Sequence, residues 1–193
     1  MNADMDLIPT PSQTVGPFFR MELTTDEHCV TCVAGPQANG ERVWITFRVL
    51  DGDGAPVNDA MIEIWQADSN GKYNHPDDMQ PRQVAAGWIG FGRLASGEDG
   101  SCVLETIMPG RTAGSTPQAP HLVVAVFARG MLKQLYTRVY FAGDPANRED
   151  PILELVPPER RETLLARPDP GRRGHWMFDV RIQGDQETVF FDV

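Results

Sequence analysis

Three cysteines in 193 residues are too few, and odd in number, for a disulfide framework, so the thiols are expected to be reduced. Basic residues are short too: 17 Lys and Arg stand against 27 Asp and Glu, a formal net charge of −10. A surface of that sign repels phosphate backbones, so nucleic acid is not an expected partner. No apolar run approaches the ~20 residues a membrane span needs, so no membrane association is expected. Met1 to Gln13 carries acids and prolines where an export signal has a basic start and an apolar stretch. A cytoplasmic location is the expectation. No phosphate-cradling glycine loop, serine nucleophile elbow, zinc-protease pattern, internal repeat or low-complexity block occurs.

Glycine (18) and proline (16), by contrast, are plentiful. They favour many short strands joined by turns over long helices, and the length fits one domain, 1–193, with a sizeable core. Residues 1–20 read as an extended arm. Pro9, Pro11 and Pro17 bar a helix interior, and Phe18 and Phe19 close the segment. Residues 21–41 read as irregular and polar, and the core is expected over 42–193.

The first strand is expected at Arg42 to Leu50, where Val43, Ile45, Phe47 and Val49 alternate with Trp44, Thr46 and Arg48. Asp51-Gly-Asp-Gly then turns the chain. Further strands are expected at Ala60–Ala67, Trp88–Leu94, Ser101–Ile107, His121–Ala128, Gln134–Phe141, His175–Gln183 and Glu187–Asp192, with a long loop over 72–86. His121–Ala128 is apolar on both faces, as the centre of a buried sheet requires. One segment, Pro158 to Ala166, has the marks of a helix: Pro and Glu at its start and a leucine pair near its end. Strands at this spacing suggest a mainly β sandwich or barrel with one or few short helices.

His28 with Cys29 and Cys32 has the look of a metal half-site. A single C-x-x-C without a second pair is weak, and Cys102 falls in a strand, so zinc is not expected. His75 and His175 belong to no visible constellation.

Four segments carry a resemblance when taken in order. They are TPSQTVGPFF in the arm, IEIWQADSNGKY in the second strand and its turn, APHLVVAVFARG continuing to YTRVYFAGD, and the ending RIQGDQETVFFDV. Together the chain resembles the intradiol ring-cleavage dioxygenases, and among them the alpha subunits of the protocatechuate 3,4-dioxygenase type. The resemblance is weakest over 21–41 and 74–86. It implies a core β-sandwich and a hetero-oligomer of αβ units in which a catalytic beta subunit holds ferric iron through two tyrosines and two histidines. Phenolate is a hard anionic donor suited to a trivalent ion, and imidazole also suits iron. Two histidines at i and i+2 on a strand leave the same face and can converge on one metal.

This chain departs from that set. Tyr73 stands at the first tyrosine position and His121 at the first histidine. Val123 stands at the second histidine position, and Thr112 is nearest to the second tyrosine. Neither Val nor Thr replaces what is missing. The resemblance therefore implies an iron-free subunit that contributes to the substrate pocket of its partner and carries no catalytic residue of its own. Thr14, Gly16, Pro17 and Arg129 match the positions that would do so. A Gly-Pro pair brings backbone close to a ligand, and an arginine at a turn presents its fork to a carboxylate. The implied reaction is oxygen-dependent opening of protocatechuate to 3-carboxy-cis,cis-muconate, in bacterial aromatic degradation through the β-ketoadipate route.

Plainer readings stand beside these. Buried Tyr and His are ordinarily hydrogen-bonded core residues, and Tyr73 and His121 are read so, because their fellow ligands are gone. Arg129 read in isolation is a solvated turn charge, and the arm a loose terminus. Two other functions remain open at this point. One is a self-sufficient homo-oligomeric intradiol dioxygenase, which Thr112 and Val123 oppose. The other is a transthyretin-like binding or scaffold module without catalysis.

Overall fold

Strict alternation in the strands builds the core. In the computed structural model, which describes residues 9–16, 18–114 and 116–192, strand β1 (Arg42–Leu50) buries Val43, Ile45, Phe47 and Val49 completely. The seven further strands are β2 (Met61–Gln66), β3 (Phe91–Ala95), β4 (Ser101–Ile107), β5 (His121–Phe127), β6 (Leu135–Phe141), β7 (Leu165–Pro168) and β8 (His175–Arg181). They hydrogen-bond in the order β3-β2-β5-β6-β7-β8-β1-β4. All pairs are antiparallel except β1 with β8 and β6 with β7. The short β7 links two halves of the sheet. Their inner faces share one apolar cluster that includes Phe47, Ile62, Ile64, Leu94, Leu104, Leu122, Val124, Phe141 and Phe178. Each such side chain contributes ~1.5–3 kcal/mol through removal from water. The expected β-sandwich is therefore found as a sheet folded almost closed on itself.

The opening between edge strands β3 and β4 is spanned by a segment read from sequence as irregular and polar. Val30 bridges Arg93 of β3, and Cys32 bridges Glu105 of β4. Val33 and Ala34, which follow, are fully buried. The segment lacks regular structure because it makes isolated bridges to two strands in turn. Its apolar residues nonetheless belong to the core.

Several element boundaries differ from expectation. Trp88 and Ile89 lie outside β3, because Gly90 at φ +78° turns the chain before the strand begins. Glu187–Asp192 is not a strand; Phe191 makes a single bridge to Tyr136. Pro158 to Ala166 is not one helix. Pro158–Leu164 is a 3-10 helix, and Leu165 already starts β7, the strand that joins the two halves. Short helices also occur at α1 (Phe18–Leu23), α2 (Pro151–Glu154) and, as a 3-10 turn, Pro145–Glu149. The latter two had a readable signal. Asp144-Pro145 and Asp150-Pro151 each place a capping carboxylate before a proline at the first helical position. Among the described residues no helix is long and apolar enough to cross a membrane.

Candidate functional site

The four positions marked in the sequence as degenerate ligands gather at one end of β5. His121 and Val123, two apart, leave the outer face of the strand together. Tyr73 reaches them from the loop after β2, its hydroxyl 3.3 Å from His121 Nε2. Thr112 closes the other side and pairs as an isolated bridge with Gln118.

Two glycines bring those loops together. Gly71 has φ +78°, and a Cβ there would stand 1.8 Å from the Arg111 carbonyl oxygen. At Gly110 a Cβ would stand 2.5 Å from Ser69 O. Backbone thus packs directly on backbone, as glycine alone permits. Buried Asp68 holds the same turn by accepting from the N–H groups of Asn70, Lys72 and Ala85. Lys72 is buried as well; its ammonium donates to the carbonyls of Asp78 and Gln80 and meets the Asp78 carboxylate. Asp78 in turn accepts from the Tyr73 N–H. Tyr73 is stacked on Trp65 with 5.9 Å between ring centres, and burial pushes its phenol above the usual range. Its outer side faces an open groove of about 500 Å³ bordered by Trp65, Met79 and Thr112.

His121 is 1% exposed. Its Nδ1 lies 2.7 Å from Ala119 O, so the proton belongs on Nδ1, and Nε2 is the acceptor for the Tyr73 hydroxyl. Burial first, and the Arg138 charge second, lower its pKa to about 4. The ring is neutral at ordinary pH. Behind it Tyr140 donates to Asp150, a 1%-exposed carboxylate that also accepts from the N–H groups of Ala119, Ile152 and Leu153. Asp150 was not singled out in the sequence, although its Asp-Pro context marks it as a cap.

The cluster also holds a residue from the adjacent strand. Arg138 of β6 is registered opposite Val123, with Trp65 on Val123's other side. Its guanidinium donates to Gln118 Oε1 at 2.6 Å. A ferric ion would thus meet one phenol, one imidazole, a valine, a threonine and a fixed cation. These residues do not fit such an ion. Among the described residues, no group of three or more His, Cys, Asp or Glu side chains is arranged to hold a metal. His28 Nδ1 instead lies 2.8 Å from Glu22 O and 3.0 Å from Thr25 Oγ1, while Cys32 is exposed.

The second cluster forms at the other end of β5. Arg129 and Gly130 make the turn to β6, with Gly130 at φ +83°. The arm returns to this turn: the Gly130 N–H donates to the Thr14 hydroxyl at 2.7 Å. Gly16 follows in open space, with nothing within 4 Å of where a Cβ would stand. Pro17 lies outside the described residues. Arg129 Nε pairs with Asp59, whose carboxylate is mostly buried, while the arginine side chain is 59% exposed. Phe18, Met21 and Leu132 are exposed around the same end. Counting strand residues from His121 to Arg129, the two clusters are roughly 25 Å apart. Thr14, Gly16 and Arg129 are therefore brought together, and apart from Tyr73, Thr112, His121 and Val123.

Residues 14–184 match the profile of a family described as Dioxygenase. The protocatechuate 3,4-dioxygenase alpha chain of Burkholderia cepacia is 44% identical over 196 residues, covering 95% of this chain and 97% of that one. The protocatechuate 3,4-dioxygenase beta chain of the same organism is 34% identical over 158 residues, covering 77% of this chain and 67% of that one. Among solved structures, the dioxygenase domain of a dioxygenase–carbohydrate-binding protein fusion from Streptomyces sp. SirexAA-E superposes with a TM-score of 0.62. It is 26% identical, and the match covers 81% of this chain and 88% of that one.

Proposed function

The chain belongs to the intradiol dioxygenase family, and on that premise we propose that it is the iron-free alpha subunit of a cytoplasmic protocatechuate 3,4-dioxygenase. It acts as one domain, and ferric iron resides in a homologous beta subunit. The reaction adds both atoms of O2 to protocatechuate and opens its ring between the two hydroxyls, giving 3-carboxy-cis,cis-muconate. The observation that carries this reading is the cluster of Tyr73, Thr112, His121 and Val123, assembled in the place of a metal site with half its donors missing and an arginine among them. Resemblance to both an alpha and a beta chain supports the division of labour.

The distal cluster is what this chain gives its partner. Arg129 presents its fork to the substrate carboxylate. Asp59 holds the guanidinium by Nε and leaves the terminal nitrogens for the ligand. Thr14 fixes the arm on the turn, so that Gly16 brings bare backbone to the pocket wall. The exposed Phe18, Met21 and Leu132 supply apolar area beside it, of the kind an obligate interface covers.

The test is purification of the chain alone and co-expressed with a beta-type subunit. Alone, it is expected to self-associate, to carry far less than one iron per chain and to lack the red phenolate-to-iron colour. With the partner, ring cleavage and one iron per αβ pair are expected. A coloured, stoichiometric, active sample of this chain alone would refute the reading and favour the self-sufficient enzyme. Inactivity in every combination would favour a scaffold module.

A further inference from the structure

The degenerate pocket raises a question that loss of ligands does not answer. A pocket with one tyrosine and one histidine is a poor iron site, yet an open one still admits a cation with water in the empty positions. Here the space is differently charged. Arg138 sits on β6 in register with Val123 on β5, the position where a second imidazole would be needed. It is half-buried and aimed across the cluster, with its Nη1 bonded to Gln118. Gln118 is itself paired with Thr112, the other vacant donor position. The arginine thus ties the two degenerate positions together. Among the described residues it has no carboxylate within ion-pair distance. The nearby Asp150 is occupied by Tyr140 and three backbone N–H groups. Arg138 is therefore in no ion pair among the described residues, and its charge is felt by Tyr73, His121 and Tyr140 alike.

We propose that Arg138 is a metal-excluding residue, a permanent cation held by Gln118 among the four former ligand positions, which keeps ferric iron out even where donors are restored. The inference rests on the iron-free reading above and goes beyond it. It assigns the exclusion to a residue that is present rather than to residues that are missing. Guanidinium suits the task because it stays protonated at any working pH, and its planar fork is anchored on the Gln118 side-chain oxygen.

The test is made in the assembled αβ complex, with iron per pair counted by elemental analysis and the phenolate-to-iron absorption recorded. Wild type sets the baseline at one iron per pair; a baseline of two would overturn the iron-free reading itself. Thr112→Tyr with Val123→His restores two donors and leaves Arg138 in place, and iron is expected to stay near one per pair. Adding Arg138→Gln is expected to raise it towards two and to increase the red absorption. Adding Arg138→Lys instead, which keeps the charge but not the fork, is expected to leave it near one. Arg138→Met is a second neutral replacement should the Gln variant fail to assemble, as judged by the α:β ratio on size exclusion. Two irons per pair in the donor-restored variant with Arg138 intact would overturn the proposal. So would a count that stays at one in an assembled complex with Arg138 neutralised, or a count that rises with lysine.

Discussion

His121 makes the stability of this chain depend on pH in a direction the structure fixes. The ring is buried and neutral, donating from Nδ1 to Ala119 O and accepting at Nε2 from Tyr73, and its pKa falls from 6.5 to about 4. Between those values the unfolded chain binds a proton that the folded chain refuses. Stability then rises with pH across the window; the contribution is fully present above pH 6.5 and is lost as pH falls towards 4. A shift of that size corresponds to about 3 kcal/mol in all, of which roughly 2 kcal/mol is lost between pH 7 and pH 5. The perturbation is His121→Asn. The amide nitrogen can keep the bond to Ala119, while the titratable ring is gone. Urea denaturation of the assembled protein, wild type against variant at pH 7, 6 and 5, isolates the term, because other titrating groups are common to both. The variant is expected to be less stable at pH 7, with the gap narrowing by roughly 2 kcal/mol at pH 5. Parallel curves, or a gap that widens on acidification, would show that His121 is solvated or charged in the folded chain and would refute the reasoning.

In the αβ complex, Arg129→Ala is expected to raise KM for protocatechuate by about 30-fold, equivalent to ~2 kcal/mol, with catechol kinetics and iron content nearly unchanged. That figure is the lower end of the range for a broken ion pair, because the side chain is half exposed in the subunit. An equal loss for both substrates would make Arg129 a structural residue. Asp59→Asn is expected to act in the same direction but more weakly, on KM and not kcat; a kcat effect with KM unchanged would count against its positioning role. Gly71→Ala, which puts a Cβ into the Arg111 carbonyl at a positive φ, is expected to cost at least ~2 kcal/mol in denaturation midpoints; a neutral result would mean the two loops are not in contact. Iodoacetamide is expected to label exposed Cys32 and spare Cys102, whose thiol burial pushes up to about 12, as peptide mapping would show.

Much of the sheet was legible in the sequence because its strands obey a period of two. β1 and β4 matched the expected residues, and β2, β5, β6 and β8 shifted by one or two at their ends. What escaped is set by tertiary contacts that leave no period. The segment at Val30–Ala34 is too short and too interrupted to read as a strand, yet it closes the sheet through two single bridges. β7 is four residues long and was hidden within a leucine-containing run that resembled a helix end. Glu187–Asp192 alternates like a strand but follows β8 too closely to find a free edge, and it is held by Thr188 and Phe191 instead. The two clusters differ in the same way. The resemblance marked Tyr73, His121, Val123 and Thr112 as one group, and the structure gathers them at one end of β5. That Arg138 stands among them depends on strand register, which no single segment encodes.

The placement of the clusters at opposite ends of β5 bears on how such a subunit can lose its own chemistry and keep its fold. A metal that clips a loop to two strands contributes to folding as well as reactivity, so its loss has to be offset. In this chain the same loop and strand ends are held by side chains. The loop after β2 is held by Asp68, Lys72 and Asp78, and the region beyond β6 by Asp150, which caps α2 and anchors both Tyr140 and Ala119. Arg138, in register with Val123, bonds the side chain of Gln118, whose backbone bridges Thr112. None of these residues touches the turn at Arg129, roughly 25 Å away along the strand. The pocket at the head of β5 can therefore be closed to iron without disturbing the arm and arginine at its foot. In the proposed division of labour, that independence lets a chain without a metal site serve as the wall of another chain's pocket.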